Sequence, residues 1–127
     1  MSTRITGILV LSMLAFAGCR SAPVHDIVAA PVATSKPVSM AAMESAILGA
    51  GSGLGWRMEP QAPGRVEGTI VLRDHRAVVT VTYDTTSYSI NYKDSSNLNY
   101  DGRSIHSNYN GWVENLDRAI RANLAAL

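Results

Sequence analysis

The chain has 127 residues, with 11 Lys and Arg against 10 Asp and Glu and a single cysteine. That length suffices for one modest core, and the near-neutral balance argues against nucleic acid as a partner, because phosphate binding needs a clustered excess of basic side chains. One cysteine excludes an intramolecular disulfide, so the fold must hold itself together by packing.

Arg4 is followed by a nearly uninterrupted apolar run from Ile5 to Phe16. A bilayer-spanning helix needs about 20 apolar residues, whereas the apolar part of an export signal needs about 7–15. The run predicts export. It ends in Leu14-Ala15-Phe16-Ala17-Gly18-Cys19, which resembles the lipobox of bacterial lipoproteins, with Phe16 standing where that family usually carries leucine. The resemblance implies that residues 1–18 are a signal peptide, removed before Cys19, and that Cys19 carries the lipid. The alternative is an ordinary signal cut after Ala17, which leaves Cys19 as an unpaired thiol in an exported chain. Cleavage before Cys19 would remove only Arg4 from the charges, leaving ten basic against ten acidic side chains. Membrane attachment then rests on acyl chains, each buried methylene contributing about 0.8 kcal/mol. Arg20 follows the cysteine, where retention at the inner membrane requires aspartate in Gram-negative lipoproteins. The resemblance therefore implies the outer membrane, with the domain in the periplasm.

Residues 19–38 include Pro23, Pro31 and Pro37 among small residues with no sustained periodicity. They read as a flexible tether, with His25 solvated inside it. The folded part is expected over 39–127. Ser39 can cap a helix in which Met40, Met43 and Ile47 share a face and which Gly49 ends. The glycines of "GAGSGLGW" do not meet the G-x-G-x-x-G spacing and follow a helix, so they read as a flexible connection and not a phosphate cradle. Trp56 to Glu59 reads as a short edge strand stopped by Pro60 and Pro63. Arg65 to Arg73, Arg76 to Asp84 and Ser87 to Tyr92 alternate with period two, joined by connections of hairpin length, and predict an antiparallel meander with one wet face.

"KDSSNLNYDGR" is polar, with a tight turn expected at Asp101-Gly102. "IHSNYNGWVENL" then reads as the entry to a last helix starting near Gly111, capped by Asn108 or Asn110. Trp112, Leu116, Ile120 and Leu124 form its apolar stripe, and Glu114 with Arg118 and Asp117 with Arg121 sit at i, i+4 on its outer side. The expected class is α+β in two layers, with an N-terminal helix, a three- or four-stranded antiparallel meander and a C-terminal helix.

No catalytic grouping is expected. Triad chemistry needs a nucleophile, a base and an orienting group; the candidate bases are His75 and His106, and no serine sits in a strand-to-helix elbow. Three histidines at 25, 75 and 106 lack metal-ligand spacing, so neither a metal site nor a cofactor is expected, although Asp74 beside His75 could support a site completed elsewhere. Tyr83, Tyr88 and Tyr92, joined by Tyr100 and Tyr109, read either as half-buried core or as an aromatic contact surface. Tyr88, Tyr92, His106 and Asn108 are the candidate binding residues.

The stretches "RDHRAVVTVTYD", "YSINYKDSSNLNYDG" and "IHSNYNGWVENL" together resemble a group of small, uncharacterised lipoproteins of proteobacteria, over roughly Gly55 to Leu124. The resemblance implies a lipid-anchored envelope protein and supplies no reaction or ligand. The expected function is a non-enzymatic module that binds another envelope protein or peptidoglycan at the periplasmic face of the outer membrane. The rival is a small periplasmic hydrolase or ligand-binding enzyme using His106, Asn108, Asn110 and His75. That rival requires the two histidines to converge on one cleft and His106 to be more than a backbone partner.

Overall fold

A computed structural model describes residues 20–127; the expected export signal and Cys19 lie outside the described residues. In chain order the elements are β1 (Ser21–Pro23), β2 (Ile27–Pro31), α1 (Met40–Gly53), β3 (Arg57–Ala62), β4 (Arg65–Leu72), β5 (His75–Tyr83), β6 (Ser87–Ser96), β7 (Ser104–His106) and α2 (Ser107–Ala125). The fold is α+β. Five strands form an antiparallel sheet in the order β2-β6-β5-β4-β3, and β1 pairs with β7 in a second, two-stranded sheet.

The meander follows from alternation. Val66, Ile70, Val79, Val81, Tyr83, Tyr88 and Ile90 are buried on one face, while Glu67, Thr80 and Thr82 point to the other, so each strand places its apolar set toward one core. At Lys93 the pairing slips, with Val78 opposite Asp94 and Val79 opposite Tyr92. This bulge returns Ser95 to the side of Tyr92, whose hydroxyl lies 2.8 Å from Ser95 Oγ, and β6 thereby runs four residues beyond the expected end. Pro60 does not stop β3 either, because β3 is the sheet's edge and has an unpaired side where a missing N–H costs nothing. Pro63-Gly64 turns β3 into β4 with Gly64 at φ +79°, and a Cβ there would lie 2.9 Å from the Tyr83 carbonyl.

The helices contribute Met43, Ala46, Ile47 and Ala50 from α1 and Tyr109, Val113, Leu116, Ile120 and Leu124 from α2 to the same buried cluster as the sheet's apolar face. Ser39 caps α1, its Oγ accepting from the Ala42 N–H at 3.1 Å. Gly49 does not end this helix. It continues to Gly53 and stops at Gly55, whose φ of +88° is the left-handed conformation that glycine adopts at a helix end. Gly51 is there for space: a Cβ on it would come within 2.3 Å of Met58 Sδ, so its absence lets β3 pack on α1. The glycine run is therefore mostly helix, held by tertiary packing in place of propensity.

Two expectations fail at α2. The helix begins at Ser107, four residues earlier than Gly111, and its buried stripe starts with Tyr109 and Val113 while Trp112 is only half-buried. Of the two expected ion pairs only Asp117 with Arg121 forms, at 3.1 Å; Arg118 turns to Asn115.

The largest correction concerns residues 20–38. The stretch expected as a tether is strand for much of its length, and α1 is the third element of the described chain. β1 lies along β7 with Ser21 opposite His106, and β2 lies along β6 with Ala30 opposite Tyr88. The Ser107 N–H donates to the Arg20 carbonyl (2.6 Å), the Val24 N–H to Arg103 (3.0 Å) and the Val32 N–H to Thr86 (2.9 Å). Proline permits this, since it is compatible with extended geometry at strand ends and edges, and both strands are too short for periodicity to reveal.

Candidate functional site

His75 opens β5 and His106 closes β7, and their rings stack with centroids 6.2 Å apart and planes inclined by 28°. The segment between β6 and β7 holds both: His75 Nδ1 donates to the Asn97 carbonyl at 2.8 Å, and the His106 N–H donates to the neighbouring Leu98 carbonyl at 2.8 Å. Asn97, in the left-handed region at φ +58°, sends its own Nδ2 to the Asp74 carbonyl. Asp74 Oδ1 lies 3.6 Å from His75 Nε2.

His106 is the cap of α2, its Nδ1 accepting from the Asn108 N–H at 3.2 Å. That replaces the asparagine cap expected from sequence. Accepting at Nδ1 places the neutral ring's proton on Nε2, whereas His75, donating at Nδ1, leaves Nε2 open. The histidines thus converge as catalysis would require, yet among the described residues the His106 ring is hydrogen-bonded only to backbone and lies against the His75 ring. Among the described residues no group of three or more His, Cys, Asp or Glu side chains is placed to hold a metal ion.

The tyrosines divide into core and surface. Tyr88 is buried, with its hydroxyl 2.5 Å from Asp117 Oδ1; burial first, and then the carboxylate, push its pKa well up. It ties β6 to α2 and is closed to a ligand, which removes it from the binding set. Tyr109 is wholly buried and its hydroxyl has no hydrogen-bond partner among the described residues; burial raises its pKa likewise, helped by the nearby Asp26 carboxylate. Tyr92 bridges inside and outside. Its ring meets Tyr109 edge-on at 5.6 Å and Tyr100 at 4.1 Å, and its N–H donates to Asp26 Oδ1 at 2.9 Å.

Tyr100 is exposed, and with Tyr92 it lines a surface cleft of about 460 Å³ together with Lys93, Asp94, Ser95, Asn97 and Asn99. Asn99 adopts φ +53°, so two left-handed asparagines flank the buried Leu98. Asparagine is among the few residues that enter this region readily, and the pattern N-L-N is the signal in the sequence that could have marked the cleft. A second groove of about 460 Å³ lies between α1 and β3, lined by Met40, Glu44, Pro60, Pro63 and Tyr83.

The remaining candidates are scattered. Asn108 is exposed at the first turn of α2. Asn110 is not the cap: its Oδ1 accepts from the His25 N–H at 3.0 Å and its Nδ2 donates to the Pro23 carbonyl at 2.9 Å, so it clasps the N-terminal arm. His25 is exposed, as expected, with its Nδ1 3.8 Å from Glu114 Oε1. Of the four binding candidates, the structure brings Tyr92 to a cleft and places His106 at a helix cap beside His75. Neither protein-family models, curated proteins nor solved structures yield a match to this chain.

Proposed function

We propose that this protein is a lipid-anchored envelope protein of the outer membrane whose two-layer α+β domain binds a partner in the periplasm and catalyses no reaction. The anchor reading rests on the apolar run that ends at the single cysteine. The binding reading is carried by one observation, the cleft in which exposed Tyr100 stacks on Tyr92 beside two asparagines held in left-handed backbone. Strained backbone clusters where structure serves recognition, and an aromatic face beside amide, carboxylate and ammonium groups suits the sugar rings and peptide stems of peptidoglycan, or a strand of another envelope protein. Co-sedimentation with purified sacculi tests it: the protein should pellet with them, and Tyr100→Ala, on a side chain outside the core, should lose most of that binding while melting as the wild type does. Equal pelleting of the two proteins would remove the cleft from the reading; no pelleting, with crosslinking in cells trapping no envelope protein, would end the binding module altogether.

A second reading, a small hydrolase working at His75 and His106, is favoured by their convergence. It requires His75→Gln to abolish a phenotype of the deletion strain while leaving fold and sacculus binding intact. Full complementation by that variant excludes it.

A further inference from the structure

The arm that precedes α1 fixes where an anchor at Cys19 would emerge. Arg20 is already hydrogen-bonded to the fold through its carbonyl, and Cys19 is the next residue, with its Cα about 3.8 Å away. A lipid on Cys19 would attach with one residue between it and the first described strand. From Arg20 the structure can be followed along one corner of the molecule. Ser21 is opposite His106, the His106 ring lies on His75, and His75 is opposite Leu72 at the tip of the β4–β5 hairpin.

That tip exposes two aliphatic side chains. Leu72 is 44% exposed and Val71 60% exposed, on opposite faces of β4, so the hairpin carries an apolar side chain on each flank. Arg73 turns the chain at φ +57°, a conformation for which glycine is the ordinary choice. No partner of Arg73 lies within ion-pair distance among the described residues, although Asp74 beside it is also exposed. Arginine of long reach between two exposed aliphatic residues suits the boundary of headgroups and acyl chains, where apolar groups enter and the guanidinium stays at phosphate level.

We propose that this corner, formed by Arg20, Val71, Leu72 and Arg73, rests on the lipid headgroup layer, so that the domain stands flush on the membrane in one orientation. The inference rests on the reading of Cys19 as lipidated. The Tyr92–Tyr100 cleft, tied to this same end by the bonds of Asn97 to Asp74 and His75, then opens beside the membrane, so that its partner is met near the headgroup layer, while the Pro63-Gly64 and Thr85-Thr86 turns point away into the periplasm across β5, whose nine residues span roughly 25 Å. Because Asp74 offsets one of the two arginines, the contact depends on apolar insertion and on the anchor, and salt should weaken it little.

The test uses the full chain matured in an exporting, lipidating host and placed in vesicles of phosphatidylethanolamine and phosphatidylglycerol. Leu72→Cys and Thr85→Cys, both at exposed positions, carry a nitrobenzoxadiazole probe; a thioether at Cys19 cannot take the label. Nitroxide-bearing lipids should quench the Leu72 probe several-fold more strongly than the Thr85 probe, and its emission should shift to the blue. Chains that float with the vesicles but are quenched equally at both positions, or at neither, overturn the orientation and leave lipidation standing. Chains that do not float, or a wild type that takes the label at Cys19, overturn lipidation and the orientation with it. Energy transfer between Leu72 probes on separate chains, without nitroxide quenching, assigns the tip to a second copy and equally overturns the proposal.

Discussion

Tyr88 and Tyr109 are both buried phenols packed in the same core, and they differ in what their hydroxyls meet. Tyr88 reaches the Asp117 carboxylate, which Arg121 also holds. Tyr109 reaches no partner among the described residues. A buried donor without a partner carries its full desolvation penalty, roughly 1–3 kcal/mol, so Tyr109→Phe should raise stability by about 1 kcal/mol while preserving the ring contact with Tyr92. Tyr88→Phe removes a hydrogen bond to a charged group and should cost about 1–2 kcal/mol. Urea midpoints moving in opposite directions for the two variants are the expected result; a loss at both would mean that a bound water satisfies the Tyr109 hydroxyl. Burial raises both phenols' pKa values in the fold. The neutral forms therefore support the fold fully up to about pH 10, the unfolded value, and that support is lost as alkali rises through the folded values.

At the scale of elements, long regular patterns were legible and short contacts were not. β4, β5 and the first part of β6 lie within a residue or so of where alternation puts them, because a half-buried strand has to repeat every two residues. The Ser39 cap and the lower stripe of α2, Leu116, Ile120 and Leu124, were legible for the same kind of reason. The entry of α2 was not, since nothing in "IHSNYNG" distinguishes an asparagine cap from a histidine ring turned back on its own helix. Of the candidate cleft the sequence showed Tyr92 but not Asn97 or Asn99, whose role depends on backbone bending. Asn110 was misread because its partners lie 85 and 87 positions away. Asn110→Ala leaves the α2 cap untouched and removes both bonds to the arm. It should cost about 1–2 kcal/mol and speed amide exchange at His25 while leaving the Asn108 amide unchanged. Faster exchange confined to Asn108 would show that the residue acts as a cap after all.

The whole molecule is closed by its first described residues. β2 covers the edge of β6 and places Ala30 in the core, with Ile27, Val24 and Val32 packed against it; β1 is the only partner of β7 in the small sheet, where Ala22 lies opposite the buried Ile105. A chain beginning at Ser39, the boundary that composition suggests, would keep both helices and the four-stranded meander. It would lose the strand that protects β6, exposing unpaired N–H and C=O groups along a central part of the sheet together with the apolar side chains beneath, and such an edge invites pairing between chains. A small domain has roughly 5–15 kcal/mol in total to lose. The chain starting at Arg20 should therefore unfold in one cooperative thermal transition as a monomer, whereas the chain starting at Ser39 should show a broadened or absent transition and associate at micromolar concentration. Cooperative, monomeric unfolding of the shorter chain, with a midpoint within a few degrees of the longer one, would return residues 20–38 to the status of a tether and leave an anchored domain free to swing.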